Sequence, residues 1–220
     1  MYLLLIRQQI GSLNTIVHNV YYYVDISQQI YSKVIMIRNS NGRRKYLTMR
    51  ERSEFLRIAK ATPVDVHTFC WTLASTGCRL SEALQLTHGQ IDYSERVVVF
   101  RSLKKREPNV YRSVPVQNEL LTLIKANRNT QSQNLEARLW PWSRSTGWAR
   151  VKEVMEEAGI RGVHATPKGL RHGFGVAGTQ KEIPLNMIQK WLGHSDIQMT
   201  AIYTDAVGDE ERKLAQRMWC

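Results

Sequence analysis

Apolar residues recur at helical spacing through most of the chain after residue 47. Val66, Phe69, Cys70 and Leu73 occupy positions i, i+3, i+4 and i+7, so they share one face of a helix. Gly77 follows, and glycine readily adopts the left-handed conformation that ends helices. The pattern predicts a helix that buries this face and ends at Gly77.

Further helices follow from the same spacing and from capping signals. Thr48 and Glu51 form a capping-box pattern, which predicts a helix over about 48–60. Helical patterns recur at about 117–126 and about 146–158, the second with Trp148 on its apolar face. Pro167 and Pro184 suit first helical turns, so two more helices are expected to start there.

Two β-prone runs, 97–100 and 110–116, flank a basic loop at 101–109. The loop holds turn-forming residues, so the runs are expected to pair as an antiparallel hairpin. The predicted fold class is therefore α+β, a mainly α-helical domain with one small antiparallel sheet.

Composition divides the chain near residue 41. Residues 1–40 hold short apolar runs separated by Gln, Ser and Asn, whereas residues 41–60 hold seven Lys or Arg. We expect 1–40 to be an N-terminal arm or atypical leader and 41–220 to be the main domain. The leading apolar run, residues 1–6, is too short for a signal-peptide core or a membrane span.

Charge and cysteine content limit the classes of function that are possible. The chain has 31 Lys plus Arg against 19 Asp plus Glu, a net charge of +12, which favours a polyanionic partner. Its three cysteines form no CxxC pair, so neither a disulfide framework nor a zinc site is indicated. These features fit a reducing cytoplasm, and no membrane association is expected.

One stretch carries residues suited to phosphate chemistry. Lys168 and Arg171 are three residues apart on a predicted helix, so both side chains can bind the same anion. The segment TGCRLSEALQL lies upstream at 76–86, and LGH ends at His194, nine residues before Tyr203. Any one of these is more often structural than functional, but the ordered set is specific.

Together these segments resemble the tyrosine recombinases, the phage integrase family. The resemblance covers about residues 45–215 and rests on 76–86, on TPKGLRHGFG at 166–175 and on WLGHSDIQMTAIYTDA at 191–206. It implies that 41–220 is a tyrosine recombinase catalytic domain. It also implies DNA cutting and rejoining through a 3′-phosphotyrosyl intermediate, with no metal, ATP or other cofactor.

The resemblance implies roles for individual residues. Tyr203 corresponds to the nucleophile, Arg79 and Arg171 to arginines that grip the scissile phosphate, and His194 to a phosphate hydrogen-bond donor. Glu82 corresponds to a supporting acidic residue and Lys104 to the lysine that protonates the departing 5′ oxygen, with the adjacent Lys105 an equal candidate. Contacts with DNA are expected from the basic residues Arg43, Arg44, Lys45, Lys105 and Arg106.

One position departs from the family's usual pattern. Lys168 stands where the family usually has histidine, and lysine is a variant there. A lysine, of ordinary pKa ~10.4, needs a depressed pKa to accept the tyrosine proton, so Lys168 is either that acceptor or only a hydrogen-bond donor. His172, beside Arg171, is a candidate for a supporting role.

The resemblance leaves three functions open. The first is site-specific recombination of double-stranded DNA by a homotetramer, with accessory DNA-bending proteins as further partners. Such a protein would be nucleoid-associated and encoded on a mobile genetic element. The second is relaxation of DNA in the manner of type IB topoisomerases. The third is a truncated or decayed recombinase that only binds DNA, because about 45 residues precede the first matching helix, where the family usually has a helical domain.

Overall fold

A computed structural model describes residues 37–101, 110–127, 134–205, 215, 216, 218 and 219. Its α-helices are α1 (Met49–Ala59), α2 (Val64–Thr76), α3 (Leu80–Ala83), α4 (Asn118–Ala126), α5 (Arg144–Glu157), α6 (Pro167–Gln180), α7 (Leu185–Leu192) and α8 (Gln198–Ala201). Its strands are β1 (Ile91–Asp92), β2 (Val97–Arg101) and β3 (Tyr111–Pro115), and 3-10 turns cover His88–Gln90 and Ile202–Asp205. The predicted fold class, mainly helical with a small antiparallel sheet, is confirmed.

Helix α1 begins where its capping box predicts, and α2 ends at the predicted glycine. The Thr48 side chain accepts a hydrogen bond from the Glu51 backbone N–H, and the Glu51 carboxylate accepts one from the Thr48 backbone N–H. Helix α2 ends at Gly77, whose φ of 61° is left-handed. Helix α2 packs against α1, α4 and α6, so it forms the centre of the main hydrophobic core.

The sheet has the order β1-β2-β3 with antiparallel pairing throughout. Val98 pairs with Val114 and Phe100 with Arg112, so these four side chains share one face of the β2–β3 pair. All four are buried. The predicted hairpin is confirmed, and Arg112 is the one charged residue among these four inward-facing positions.

A second, smaller core lies at one end of α6. Its buried residues come from the segment before α1, from α6 and α7, and from the turn after α8: Ile37, Tyr46, Val176, Ile188, Leu192, Ile202 and Tyr203. Because Tyr203 belongs to this cluster, the packing of α6 and α7 sets where its ring lies.

Helix α5 differs from its prediction. It begins at Arg144 because the Ser143 side chain accepts a hydrogen bond from the Thr146 backbone N–H. Its buried face runs through Gly147 and Val151, and Trp148, expected on the apolar face, is 46% exposed. A Cβ on Gly147 would lie 3.1 Å from the side chain of Leu84, the residue after α3, so Gly147 packs closely there. Trp148, the next residue, lies outside this buried face.

The predicted domain boundary near residue 41 stays a prediction, because residues 1–36 lie outside the described part of the chain. Within the described ranges, no helix has the length and apolar character needed to cross a membrane.

Candidate active site

Arg79 is positioned by a sharp turn between α2 and α3. Gly77 ends α2, and a Cβ there would lie 2.6 Å from the Phe174 ring, so this approach to α6 requires glycine. Arg79 then stands at the start of α3, where its backbone N–H donates to Glu82 Oε2 at 2.8 Å. Its guanidinium donates to Glu82 Oε1, also at 2.8 Å. Glu82 therefore fixes both the backbone and the side chain of Arg79.

Glu82 has a second arginine partner, Arg112, which donates to Oε2 at 2.6 Å. The Glu82 side chain has no exposed surface and that of Arg112 is 7% exposed. Burial favours a raised pKa at Glu82, but the hydrogen bond and positive charge of Arg112, with those of Arg79, outweigh it and lower the pKa. Glu82 is thus a buried carboxylate held ionised between two guanidinium groups.

Arg112 is a site residue that the sequence analysis missed. Its Nε donates to the Trp191 carbonyl at 2.8 Å, so one side chain joins β3, α3 and the end of α7. A sequence signal existed, because Arg112 occupies an inward position of a strand that alternates exposed and buried residues. A charged residue at such a position is rare unless it has a buried partner.

Arg171 lies on α6 and is held by main-chain oxygens. Its two terminal nitrogens donate to the carbonyls of Gly77 at 2.7 Å and Leu192 at 2.9 Å. Burial, followed by the positive charge of Arg79, lowers its pKa to about 10. Arg171 therefore stays charged at neutral pH, and its guanidinium is anchored to the ends of α2 and α7.

His194 follows the end of α7. Gly193 ends that helix with a left-handed φ of 68°, and His194 Nδ1 then forms a hydrogen bond of 2.9 Å with Thr200 Oγ1. The imidazole stacks on the Tyr203 ring with centroids 6.2 Å apart. Burial, with the charges of Arg171 and Arg79, lowers the His194 pKa to about 3, so the ring is neutral at pH 7.

Tyr203 is 1% exposed and lies against α6. Its hydroxyl forms a hydrogen bond of 3.1 Å with His172 Nδ1. Burial raises the Tyr203 pKa to about 12, although the positive charges of Arg171 and Arg79 act to lower it. The hydroxyl is therefore protonated at neutral pH. His172, a sequence candidate for a supporting role, contacts it directly.

The predicted residues separate into a central group and a peripheral one. Arg79, Glu82, Arg171, His194 and Tyr203 come together, linked by the contacts described above. Lys168 is exposed on the first turn of α6. Its positive charge adds to the effect of burial in lowering the pKa of His172. Lys104, Lys105 and Arg106 lie outside the described residues.

In the basic segment before α1, Arg43 and Arg44 line a cavity of about 600 Å³, whereas the positive charge of Lys45 acts on the His172 imidazole. Arg43 is exposed there, whereas Arg44 pairs with Glu51 at 2.5 Å. Burial favours a raised pKa at Glu51, but hydrogen bonds from Arg44 and Thr48 outweigh it and lower the pKa to about 2. Arg44 is thus partly neutralised, and Lys45 continues the same segment.

Across the described ranges, no group of three or more His, Cys, Asp or Glu side chains is arranged to hold a metal ion. The two cysteines described, Cys70 and Cys78, are free and buried. Burial raises the pKa of each thiol to about 12. Neither thiol is therefore ionised at neutral pH.

The model of one protein family, described as the phage integrase family, matches residues 45–209. This match includes every residue of the central group. The chain belongs to the phage integrase family. The predicted resemblance is confirmed.

Curated relatives within the integrase family are tyrosine recombinases. Over 181 residues the chain is 29% identical to tyrosine recombinase XerA of Thermococcus onnurineus, a match covering 79% of this chain and 62% of that protein. It is 29% identical over 137 residues to XerD of Neisseria meningitidis serogroup B, covering 59% and 46%. The chain thus spans less than two thirds of the length of these relatives.

Solved structures share the fold of this integrase-family chain. The crystal structure of XerA recombinase has a TM-score of 0.67 at 23% identity, covering 79% of this chain and 64% of that one. The catalytic domain of bacteriophage HP1 integrase has a TM-score of 0.58 at 21% identity, covering 78% and 93%. A XerH recombinase bound to its difH substrate in a post-cleavage complex has a TM-score of 0.66 at 21% identity, covering 80% and 53%.

Proposed function

We propose that this chain is a site-specific DNA recombinase that cuts and rejoins double-stranded DNA through Tyr203. The observation that carries the proposal is the grouping of one buried tyrosine with two arginines, Arg79 and Arg171, whose charges act on its hydroxyl. Family membership supports it, since named relatives are tyrosine recombinases.

In this proposal the Tyr203 oxygen attacks a backbone phosphorus and displaces the 5′ oxygen. The P–O5′ bond breaks as the phosphotyrosyl bond forms, and the 5′ oxygen leaves as a hydroxyl after taking up a proton. The tyrosine proton passes to an acceptor. The ester keeps the free energy of the broken bond, so a 5′-hydroxyl of a partner strand reverses the step without ATP.

Arg79 and Arg171 supply positive charge for the pentacoordinate transition state. A guanidinium carries five N–H donors in a planar fork that fits two phosphate oxygens, which an ammonium group cannot match. Glu82 and the carbonyls of Gly77 and Leu192 fix these two side chains before DNA binds. Such preorganisation stabilises developing charge without a reorganisation cost during the reaction.

The remaining roles follow the family resemblance. His194, neutral at pH 7, hydrogen-bonds the phosphate. Lys104 protonates the leaving 5′ oxygen, with Lys105 its alternative. Lys168 is exposed at the start of α6, which supports a role as a hydrogen-bond donor rather than as the acceptor of the Tyr203 proton.

Partners are proposed on charge and family grounds. The net charge of +12 favours double-stranded DNA, with Arg43, Arg44, Lys45, Lys105 and Arg106 contacting its phosphates. We further propose a homotetramer on paired sites, helped by accessory DNA-bending proteins, in a cytoplasmic, nucleoid-associated setting.

The test is trapping of a covalent complex. End-labelled DNA from the flanks of the gene is incubated with wild-type protein, with Tyr203→Phe and with the matched control Tyr111→Phe, whose tyrosine is 52% exposed on β3. The proposal expects a slow-migrating labelled band on a denaturing gel for wild type and Tyr111→Phe only. Tight binding in a shift assay without any such band would instead favour a DNA-binding module, and a band from Tyr203→Phe would refute the assignment.

A further inference from the structure

Two arginines hold the C-terminal end of α7. Arg112 Nε donates to the Trp191 carbonyl at 2.8 Å, and Arg171 donates to the carbonyl of the next residue, Leu192, at 2.9 Å. The last carbonyls of a helix have no hydrogen-bond partner within the helix, so donors from other elements fix them. His194 is two residues further on. One arginine from β3 and one from α6 therefore set where the backbone of His194 lies.

Gly193 allows Arg112 to come close to this helix end. A Cβ on Gly193 would lie 3.0 Å from Arg112 Cδ and 3.1 Å from its Nε, which is tighter than ordinary van der Waals contact. The left-handed φ of 68° also favours glycine here. Arg112 thus packs directly against the turn that joins α7 to His194, and a side chain at 193 would displace either the turn or the arginine.

The other end of the Arg112 side chain reaches Arg79 through Glu82. Arg112 Nη2 donates to Glu82 Oε2 at 2.6 Å, the same oxygen that accepts the Arg79 backbone N–H. Glu82 Oε1 accepts the Arg79 guanidinium at 2.8 Å. The Phe100 ring lies against the Arg112 guanidinium, 4.9 Å from its central carbon. Arg112 therefore fixes the carboxylate that holds Arg79.

The two arginines on Glu82 differ in exposure. The Arg79 side chain is 23% exposed and that of Arg112 is 7% exposed. Arg79 is thus the one of this pair that a phosphate can reach, and Arg112 acts on the site through its neighbours. We propose that Arg112 is a positioning residue for strand cleavage, which keeps Arg79 and His194 in register so that both bind one phosphate. This role rests on the proposed function.

Positioning of this kind affects the rate of cleavage more than the affinity for DNA. A displacement of about 1 Å in a reacting site can slow a reaction about a hundredfold, because preorganised donors must face the charge that develops in the transition state. DNA affinity depends instead on many phosphate contacts across a basic surface. Loss of Arg112 should therefore slow formation of the covalent complex and leave the dissociation constant almost unchanged.

The first test measures rate and affinity separately. End-labelled DNA from the flanks of the gene is incubated with excess protein below the melting temperature of every variant. Denaturing gels give the rate constant of covalent-complex formation, and a shift assay gives the dissociation constant. Arg112→Met should react about a hundredfold more slowly than wild type, with a dissociation constant within about twofold.

A second variant keeps the charge at this position. Arg112→Lys retains a cation for Glu82 but loses the planar fork that reaches two acceptors at once. We expect it to form the complex about tenfold more slowly than wild type, between the rates of wild type and Arg112→Met. It keeps the proposal testable even if Arg112→Met fails to fold.

Two controls separate positioning from loss of stability. Leu121→Ala leaves a cavity in the main core at α4, a helix that holds no residue of the central group. Arg57→Met breaks an exposed ion pair on α1. Both should form the covalent complex at the wild-type rate. Slowing in Leu121→Ala equal to that in Arg112→Met would overturn the proposal, as would a loss of DNA affinity in Arg112→Met that matches its loss of rate.

A further test needs no DNA. In protein labelled with isotopes at histidine, the Cε1–H signals of His194 and His67 are identified by their loss in His194→Asn and His67→Asn. Arg112→Lys should shift the His194 signal, because the charge stays while the turn loses its support, and should leave unchanged the signal of His67, which stacks on Trp71 in α2. An unmoved His194 signal in both folded Arg112 variants would overturn the proposal.

These tests distinguish failure of the positioning role from failure of the proposed function. If the wild-type protein forms no covalent complex, the proposed function falls, and the His194 signal still decides whether Arg112 sets the position of that residue. If Arg112→Met forms the complex at the wild-type rate, the proposed function stands and the positioning role falls.

Discussion

Replacing Arg112 with methionine should destabilise the fold far more than loss of a surface charge. The change removes the 2.6 Å ion pair with Glu82 and the 2.8 Å hydrogen bond to the Trp191 carbonyl. Methionine fills much of the same volume, so the loss is mainly electrostatic. Removing one partner of a buried ion pair costs about 3–5 kcal/mol.

The lower end of that range applies here. Glu82 keeps two hydrogen bonds of 2.8 Å from Arg79, so its charge is not left wholly uncompensated. We therefore expect Arg112→Met to lose about 3 kcal/mol, a large share of the 5–15 kcal/mol that stabilises a typical domain. At roughly 2–4 °C per kcal/mol for a chain of this size, the melting temperature should fall by about 6–12 °C.

Urea unfolding followed by tryptophan fluorescence measures this free energy directly. The matched control is Arg57→Met, which breaks an exposed ion pair with Glu54 on α1 and should produce no measurable change. A double variant, Glu82→Met with Arg112→Met, removes the stranded carboxylate and should lose less than the sum of the two single changes. If Arg112→Met unfolds at the same urea concentration as Arg57→Met, the buried network does not stabilise the fold.

Glu51→Gln should flatten the fall in the free energy of unfolding between about pH 4.5 and 2. The folded pKa of Glu51 is about 2, so the stability contributed by its carboxylate is lost only as the pH drops through that window. An unchanged pH profile in urea unfolding would contradict this. Cys70 and Cys78 should react with iodoacetamide only after unfolding, since both are buried with pKa values of about 12; labelling of the native protein at either position would be the opposing result. Arg171→Lys should abolish covalent-complex formation while DNA binding in a shift assay persists, because the charge remains but the fork is lost; a normal yield of complex would oppose the role of Arg171.

Local signals in the sequence predicted the helices well. The capping box of Thr48 and Glu51 and the left-handed glycines at 77 and 193 act within a few residues, so they can be recognised without knowing the rest of the fold. The ordered motifs also identified the family, which the match over 45–209 confirms.

Long-range contacts could not be predicted in the same way. Arg112 meets Glu82 across 30 positions of sequence, and His172 meets Tyr203 across 31. Such pairs depend on how strands and helices pack, and periodicity gives only the face on which each residue lies. The prediction for Trp148 was wrong for the same reason, because the buried face of α5 runs through Gly147 and Val151 and leaves Trp148 46% exposed.

Tyr203 and its hydrogen-bond partner His172 both have strongly shifted pKa values. Burial raises the Tyr203 pKa to about 12 and lowers the His172 pKa to about 4, so the two groups share a neutral hydrogen bond at pH 7. Arg171 remains charged beside them. The Tyr203 hydroxyl is therefore protonated and hydrogen-bonded to a neutral imidazole, near a charged guanidinium.

The most direct test of the account is to locate the covalent bond itself. Trapped protein–DNA complex is digested with nuclease and protease, and the peptide carrying the residual nucleotide is sequenced by mass spectrometry, while the released DNA end is tested for phosphorylation by a polynucleotide kinase. The account predicts a nucleotide on Tyr203, attached through its 3′ phosphate, and a free 5′-hydroxyl on the other DNA end. A nucleotide on any other residue, or a 5′ linkage, would contradict it.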